Sequence, residues 1–176
     1  VSNDFKIESN NGPEYRTCHL GIDIWLQENT TVNAICDGEI ICCTDNTADK
    51  DYGPTIIIKH SINEAFSFYS LYGHLNRESL ALHKKGGTIK KGESIGGLGA
   101  AHENGNWPPH LHFQIILDLM DFETNFPGVC AYNELAVWSA ICPDPNLLFK
   151  CPGLVKETTA TNNDLITDRK NHLGKS

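Results

Sequence analysis

The chain has 176 residues, 40% of them hydrophobic and 20% charged, which suits one globular domain with a real core. Its formal net charge is −8, and no basic stripe could follow a phosphate backbone, so nucleic-acid binding and adhesion to an anionic surface are disfavoured. No apolar run reaches membrane-spanning length, and no secretory pattern opens the chain, which starts on Val1.

Residues 1–17 are polar and read as a lead-in to a domain over 18–155. Residues 32–36 are strand-like, Asp37 and Gly38 signal a tight turn, and 39–43 run back as a second strand. The β-branched run 55–60 and the partly alternating 66–72 are two more strands. Residues 76–82 predict a short helix capped by Asn76. Glycine is dense over 86–99, which suits tight turns between short strands. The Lys84, Lys85, Lys90 and Lys91 pairs in and beside that stretch read as solvated loop charges. Residues 110–117 predict a strand and 133–140 a helix, while 142–145, with two prolines, must be extended or turned. Residues 156–176 are polar and read as a tail or linker. Short strands with frequent glycine turns predict a mainly β fold: an antiparallel sheet, sandwich or open barrel with short helices and loops.

Seven cysteines, at 18, 36, 42, 43, 130, 142 and 151, form no C-x-x-C pair, so neither a zinc ribbon nor a thioredoxin-type motif is supported. Cys36, Cys42 and Cys43 lie in an apolar stretch, where a free thiol acts as a small hydrophobe. Reduced thiols fit a reducing compartment, the cytoplasm ahead of the cell envelope.

The chemistry concentrates in three islands: His19 and Asp23 in His-Leu-Gly-Ile-Asp, His74 in Tyr-Gly-His-Leu, and His110 and His112 in Pro-His-Leu-His-Phe. Four of the eight histidines fall there, each in or beside a strand-like run. Imidazole and carboxylate are good zinc ligands and poor fillers of a sheet face unless something binds them. His110 and His112 share a strand face about 6.5 to 7 Å apart, so one can hold a metal while the other reaches water or a substrate carbonyl. His19 and Asp23 would be roughly 13 Å apart on a straight strand, and a turn or bulge at Leu20 and Gly21 is needed to bring them together. Each island alone has an ordinary explanation: a surface pair on a strand, an edge histidine with a surface aspartate, and a turn histidine. Together, and in this order, they are harder to dismiss.

His-x-x-x-Asp early, Tyr-Gly-His-Leu in the middle and His-Leu-His-Phe late resemble the lysostaphin/LytM-type zinc endopeptidases that cut peptidoglycan peptides. The stretch from Lys91 to Gly99 also matches that family, and the resemblance covers about residues 18–117. It implies an antiparallel β fold with Zn2+ held by His19, Asp23 and His112, and with His74 and His110 as catalytic histidines that do not bind the metal. Three protein ligands leave a fourth position for water, the mark of a catalytic zinc, and His74 and His110 would then assist proton transfer and oxyanion stabilisation. A peptidoglycan-type peptide is the implied substrate.

Gln114 stands where the common pattern has Glu, and residues 101–109, with His102 and Trp107, lengthen the loop before the last motif. Trp107 is read as either a ligand-stacking or a core-packing residue. His60, His83, His102 and His172 have no place in the motif set and are read as structural or surface residues. A narrower resemblance, carried by residues 104–114 and 143–148, is to a subgroup embedded in large fusion proteins beside an ornithine-aminotransferase-class domain. It implies covalently linked neighbouring domains and, as the rival function, a non-catalytic or regulatory module. A purely structural zinc site is a third reading, disfavoured because such sites usually close four protein ligands around the metal.

Overall fold

Three antiparallel sheets carry the chain in a computed structural model that describes residues 6–9, 12–152 and 154, with side chains from Tyr15 onward. The main sheet has six strands: β3 (Ile22–Trp25), β5 (Gly38–Asn46), β6 (Gly53–Ser61), β7 (Ser67–Gly73), β8 (Thr88–Ile89) and β10 (His110–Ile116), in the order β3-β10-β7-β6-β5-β8. A three-stranded sheet joins β1 (Lys6–Ser9), β2 (Gly12–His19) and β11 (Val129–Ala131), and β4 (Thr31–Asn33) pairs with β9 (Ser94–Gly97). The helices are short: α1 (Arg77–Leu82), α2 (Leu135–Ile141) after a 3-10 turn at Tyr132–Glu134, and α3 (Asn146–Phe149). The fold is mainly β, as expected.

Central strands β6 and β10 are buried almost end to end, because both faces of the main sheet are covered. Ile56, Ile58, Tyr72 and Phe113 belong to one core cluster, and Ile57, Leu71, Ile116, Leu20 and Cys130 to the other. The second cluster lies between the main sheet and β2 and β11, which supply Leu20 and Cys130 from their ends and flanks. That layer brings His19 over the end of the main sheet.

Helix α1 starts where the sequence places it. The Asn76 side chain accepts from the Ser79 backbone N–H at 3.0 Å, satisfying one of the orphan donors of the first turn. All seven cysteines are free thiols.

Two expectations are corrected. Residues 32–43 do not form a hairpin: β4 pairs with β9, while β5 pairs with β6 and β8. Asp37 and Gly38 mark the corner at which the chain changes sheets. A side chain at Gly38 would meet Ile58 Cγ2 at 2.5 Å and Lys59 O at 2.6 Å, so glycine is required by close approach to β6 rather than by a hairpin turn. Part of the stretch read as a polar lead-in is strand, since β2 starts at Gly12 and pairs with both β1 and β11. Its partner β11 lies more than a hundred residues downstream, outside any local pattern. The expected tail at 156–176 and His172 lie outside the described residues.

His60 is fully buried in β6; its Nδ1–H donates to Asp37 O at 2.8 Å and its Nε2 accepts from the Ser70 hydroxyl at 2.7 Å. Burial lowers its pKa, partly offset by the Asp37 carbonyl. The unfolded chain therefore takes up a proton near pH 6.5 that the folded chain refuses until lower pH. Stability from this group is complete above that value and is lost as pH falls below it. The urea midpoint of the chelator-treated protein should drop between pH 7 and pH 5, and the drop should shrink in His60→Gln.

Candidate metal centre and catalytic cleft

The register of β10 with its two neighbours assembles the site. His112 lies directly opposite Asp23 on β3, and on its other side opposite Gly73, the last residue of β7. Directly opposed residues project to the same face, so Asp23 and His112 meet there. His74 follows Gly73, and its φ of 60° turns the chain out of the strand. The Tyr52 carbonyl accepts the His74 N–H at 2.8 Å and the His74 carbonyl accepts the Gly99 N–H at 2.8 Å, which holds that unusual backbone in place.

His19 ends β2, and a bend at Leu20 and Gly21 carries the chain into β3. The bend brings His19 Nε2 to 3.1 Å from Asp23 Oδ1, the approach that a straight strand forbids. A side chain on Gly21 would sit 2.6 Å from Phe113 O and 2.8 Å from His112 Nε2. The missing Cβ is what lets the bend lie against β10.

His19 Nε2 and His112 Nδ1 are 3.0 Å apart, and His112 Nδ1 is 3.1 Å from Asp23 Oδ1. One ligand atom from each of the three groups lies within 4.8 Å of the others. His74 and His110 sit beside them, with ring centroids 4.1 Å apart, and His110 Nε2 is 3.9 Å from Asp23 Oδ1. His74, His110 and His112 are buried, which removes the surface-pair explanation of the His-x-His motif.

Each of the four histidines is tethered through one ring nitrogen. His19 Nδ1–H donates to Gly21 O at 2.9 Å, His74 Nδ1–H to Asn104 O at 2.9 Å and His110 Nδ1–H to Pro108 O at 2.8 Å. His112 is tethered from the other nitrogen, its Nε2–H donating to Gln114 Oε1 at 3.0 Å. Gln114 is held in turn, donating to Pro127 O and to Cys142 Sγ, each at 3.2 Å. With those tautomers, two imidazole lone pairs and a carboxylate oxygen point at one another. Three acceptors at such separations repel unless a cation lies among them, so the donor set fits a divalent metal such as zinc.

The local electrostatics agree. Burial pushes the Asp23 carboxyl up, but a proton on the facing nitrogen of His112 or His19, standing where the cation would, holds it well below the usual carboxylate range by hydrogen bonding and charge. Burial pulls His19 down, yet the bond to Asp23 and its charge win, and the net shift is upward. Burial pulls His112 down despite the same carboxylate. His74 is pushed down to about 3, first by burial and then by neighbouring His110, against the Asn104 carbonyl.

These groups line a cleft of about 380 Å3, of whose further walls the sequence pointed only to Trp107. Trp25 is 57% exposed and stacks on His110 with ring centroids 4.4 Å apart. Its place two residues after Asp23 on one strand was the available signal. Trp107 also lines the cleft, with Lys50 Nζ 4.9 Å above its ring. Tyr52 is buried with its ring centroid 5.0 Å from His112, and its hydroxyl has no hydrogen-bond partner among the described residues. Asn104 and Pro108 act through backbone carbonyls, which leave no trace in residue type. His102 is exposed and His83 half-buried, both away from the lining.

The model of a family described as Peptidase family M23 matches residues 17–122, a segment that holds all five residues of the three islands. The chain is similar to the catalytic domain of EnpA, a prophage-encoded M23 protein of Enterococcus faecalis, at 23% identity and a TM-score of 0.46, covering 58% of this chain and 71% of that one. It is also similar to the catalytic domain of the antimicrobial peptidase lysostaphin from Staphylococcus simulans, at 23% identity and a TM-score of 0.44, covering 76% and 84% of the two chains. A comparison with curated proteins returned no match. The narrower resemblance to an aminotransferase fusion gains no support from these comparisons.

Proposed function

Because this chain belongs to peptidase family M23, we propose that it is a zinc-dependent endopeptidase acting on an amide bond of a peptidoglycan-type peptide. The observation that carries the reading is the convergence of His19, Asp23 and His112 on one point, with two further histidines beside it that do not belong to the cluster.

His19 Nε2, Asp23 Oδ1 and His112 Nδ1 would hold the zinc. Zinc in such a three-ligand site supplies a Lewis acid for the scissile carbonyl and brings the pKa of water to about 7. His74, neutral at physiological pH because of its burial, presents Nε2 to the cleft as a proton acceptor, since its Nδ1 is committed to Asn104 O. His110 is oriented in the same way by Pro108 O. With the ring centroids only 4.1 Å apart, both histidines can reach the same reacting group. A ring protonated on Nε2 becomes a donor to the developing oxyanion, and then passes its proton to the leaving amine. Trp25 and Trp107 flank His110 and shield the reacting atoms from bulk water.

The test is metal analysis of the purified protein together with hydrolysis of defined wall peptides. About one zinc per chain is expected, with cleavage abolished by a chelator and restored by zinc. Much less than one zinc ends the reading. A zinc-loaded protein that cleaves no wall peptide would instead be a binding module that keeps the fold.

A further inference from the structure

We propose that Arg16 is the substrate anchor of this cleft and selects peptides that carry a carboxylate beside the scissile amide. The inference rests on the hydrolytic reading above and names the substrate class for the same site.

Its basis is the register of β2 against β11. Val129 pairs with His19, Cys130 with Cys18, and then Ala131 with Arg16, so β2 holds one residue more than its partner. The extra residue is Thr17, which is exposed. On a regular strand Arg16 and His19, three positions apart, would point to opposite faces. The bulge reverses that parity, because Val129 and Ala131 share a face and their opposed partners must share it too. Arg16 and His19 thereby become effective next-but-one neighbours, about 7 Å apart along the strand. Both line the cleft, together with Val129.

Among the described residues no hydrogen bond or ion pair claims the guanidinium. Arg16 is half-buried, and its Nε is shielded from solvent without a hydrogen-bond partner among the described residues. The nearby carboxylates are engaged elsewhere. Asp51 accepts from the Tyr52 N–H and from Asn125, and Asp49 accepts from Asn106. Asp23 belongs to the histidine cluster. The other cation of the cleft, Lys50, lies over Trp107. A half-buried guanidinium whose Nε–H lacks a partner among the described residues, next to the proposed hydrolytic centre, is suited to bidentate recognition of a carboxylate. That carboxylate can belong to an acidic side chain or to a free chain end, and the two share the same chemistry.

Two peptide pairs separate the sources: one with Glu or Gln next to the scissile amide, and one with a free or amidated carboxyl terminus at the same distance. The readout is the acid-to-amide ratio of kcat/KM within each protein, so a general loss of folding or zinc cancels. Wild type should favour the acidic member of one pair by roughly ten- to a hundredfold, the worth of a charge-assisted bond. In Arg16→Gln the ratio should fall to about one, and Arg16→Lys should recover part of it. The pair that shows the preference identifies the source. No preference in wild type, or a preference that survives Arg16→Gln, overturns the proposal. Independently of hydrolysis, N-acetylglutamate and N-acetylglycine are titrated into the chelator-treated protein and followed by NMR, each against its neutral amide. Tighter binding of an acid that is lost in Arg16→Gln supports the anchor, and equal binding overturns it. Failure of the hydrolytic reading shows separately, as no zinc-dependent cleavage of any peptide.

Discussion

Replacing His74 with glutamine is expected to leave about one zinc bound per chain while kcat/KM falls by roughly a hundredfold to ten-thousandfold, the range for loss of a positioned acid–base group. The separation of the two readouts follows from the geometry. His74 is outside the cluster of atoms that can share a cation, and its ring lies 6.4 Å from that of His112. Its backbone is fixed from outside the cluster, by Tyr52 and Gly99, so changing the ring leaves the ligands in place. In the proposed mechanism the His74 Nε2, by contrast, has no substitute. Glutamine fills similar space and can still reach Asn104 O, but it cannot accept a proton at Nε2 and return it. Zinc content by atomic absorption and hydrolysis of one wall peptide on the same sample decide the matter. A variant that loses zinc with activity would make His74 a ligand or a support of the ligands, and one that keeps activity would remove it from proton transfer.

The same division explains how much of the site could be read from residue order. His110 and His112 share a strand face, and the group of atoms close enough to share a cation includes His112 and not His110. The bend at Leu20 and Gly21 was legible because a straight strand would hold His19 and Asp23 too far apart and glycine permits a turn, while the close approach to Phe113 is seen only in the fold. The Asn76 cap and the β-branched run of β6 are local signals, and both survive into the structure. What could not be read depends on pairing across long stretches of chain. β4 finds β9 rather than β5, and β2 finds β11, because burial of whole sheet faces decides register and no nearby residue announces it. The bulge at Thr17, which turns Arg16 into the cleft, is visible only as a mismatch between two distant strands. The tethers of His74 and His110 are main-chain oxygens, which any residue type can supply. Gln114 was noticed as a departure from a pattern. Its role follows from the fold, where it receives the His112 Nε2–H and passes the restraint on to Pro127 and Cys142.

Replacing Asp23 with asparagine should weaken zinc binding by at least about a hundredfold and abolish hydrolysis with it, more than is usual for changing a residue that merely supports a ligand. Asparagine has nearly the shape of aspartate, so β3 should stay paired with β10 and the cleft should keep its walls. The change is in charge. Asp23 is the single anion in the cluster, and its carboxyl is held ionised by His112 and His19 against the cost of burial. Removing that charge leaves two neutral imidazoles, their facing nitrogens 3.0 Å apart, to bind a dication without compensation. The amide also offers only one oxygen as a ligand, and its NH2 group can donate to the two imidazole lone pairs, occupying the nitrogens that would otherwise bind the cation. Thermal unfolding gives a readout free of turnover. Ligand that binds only the folded state raises stability in proportion to the logarithm of its concentration over its Kd, so wild type should melt at progressively higher temperature as zinc is added. Asp23→Asn should show little of this rise at the same zinc concentrations, while melting cooperatively without metal. An equal zinc-induced rise in both proteins would mean that the dication sits elsewhere and that the three converging groups do not hold it.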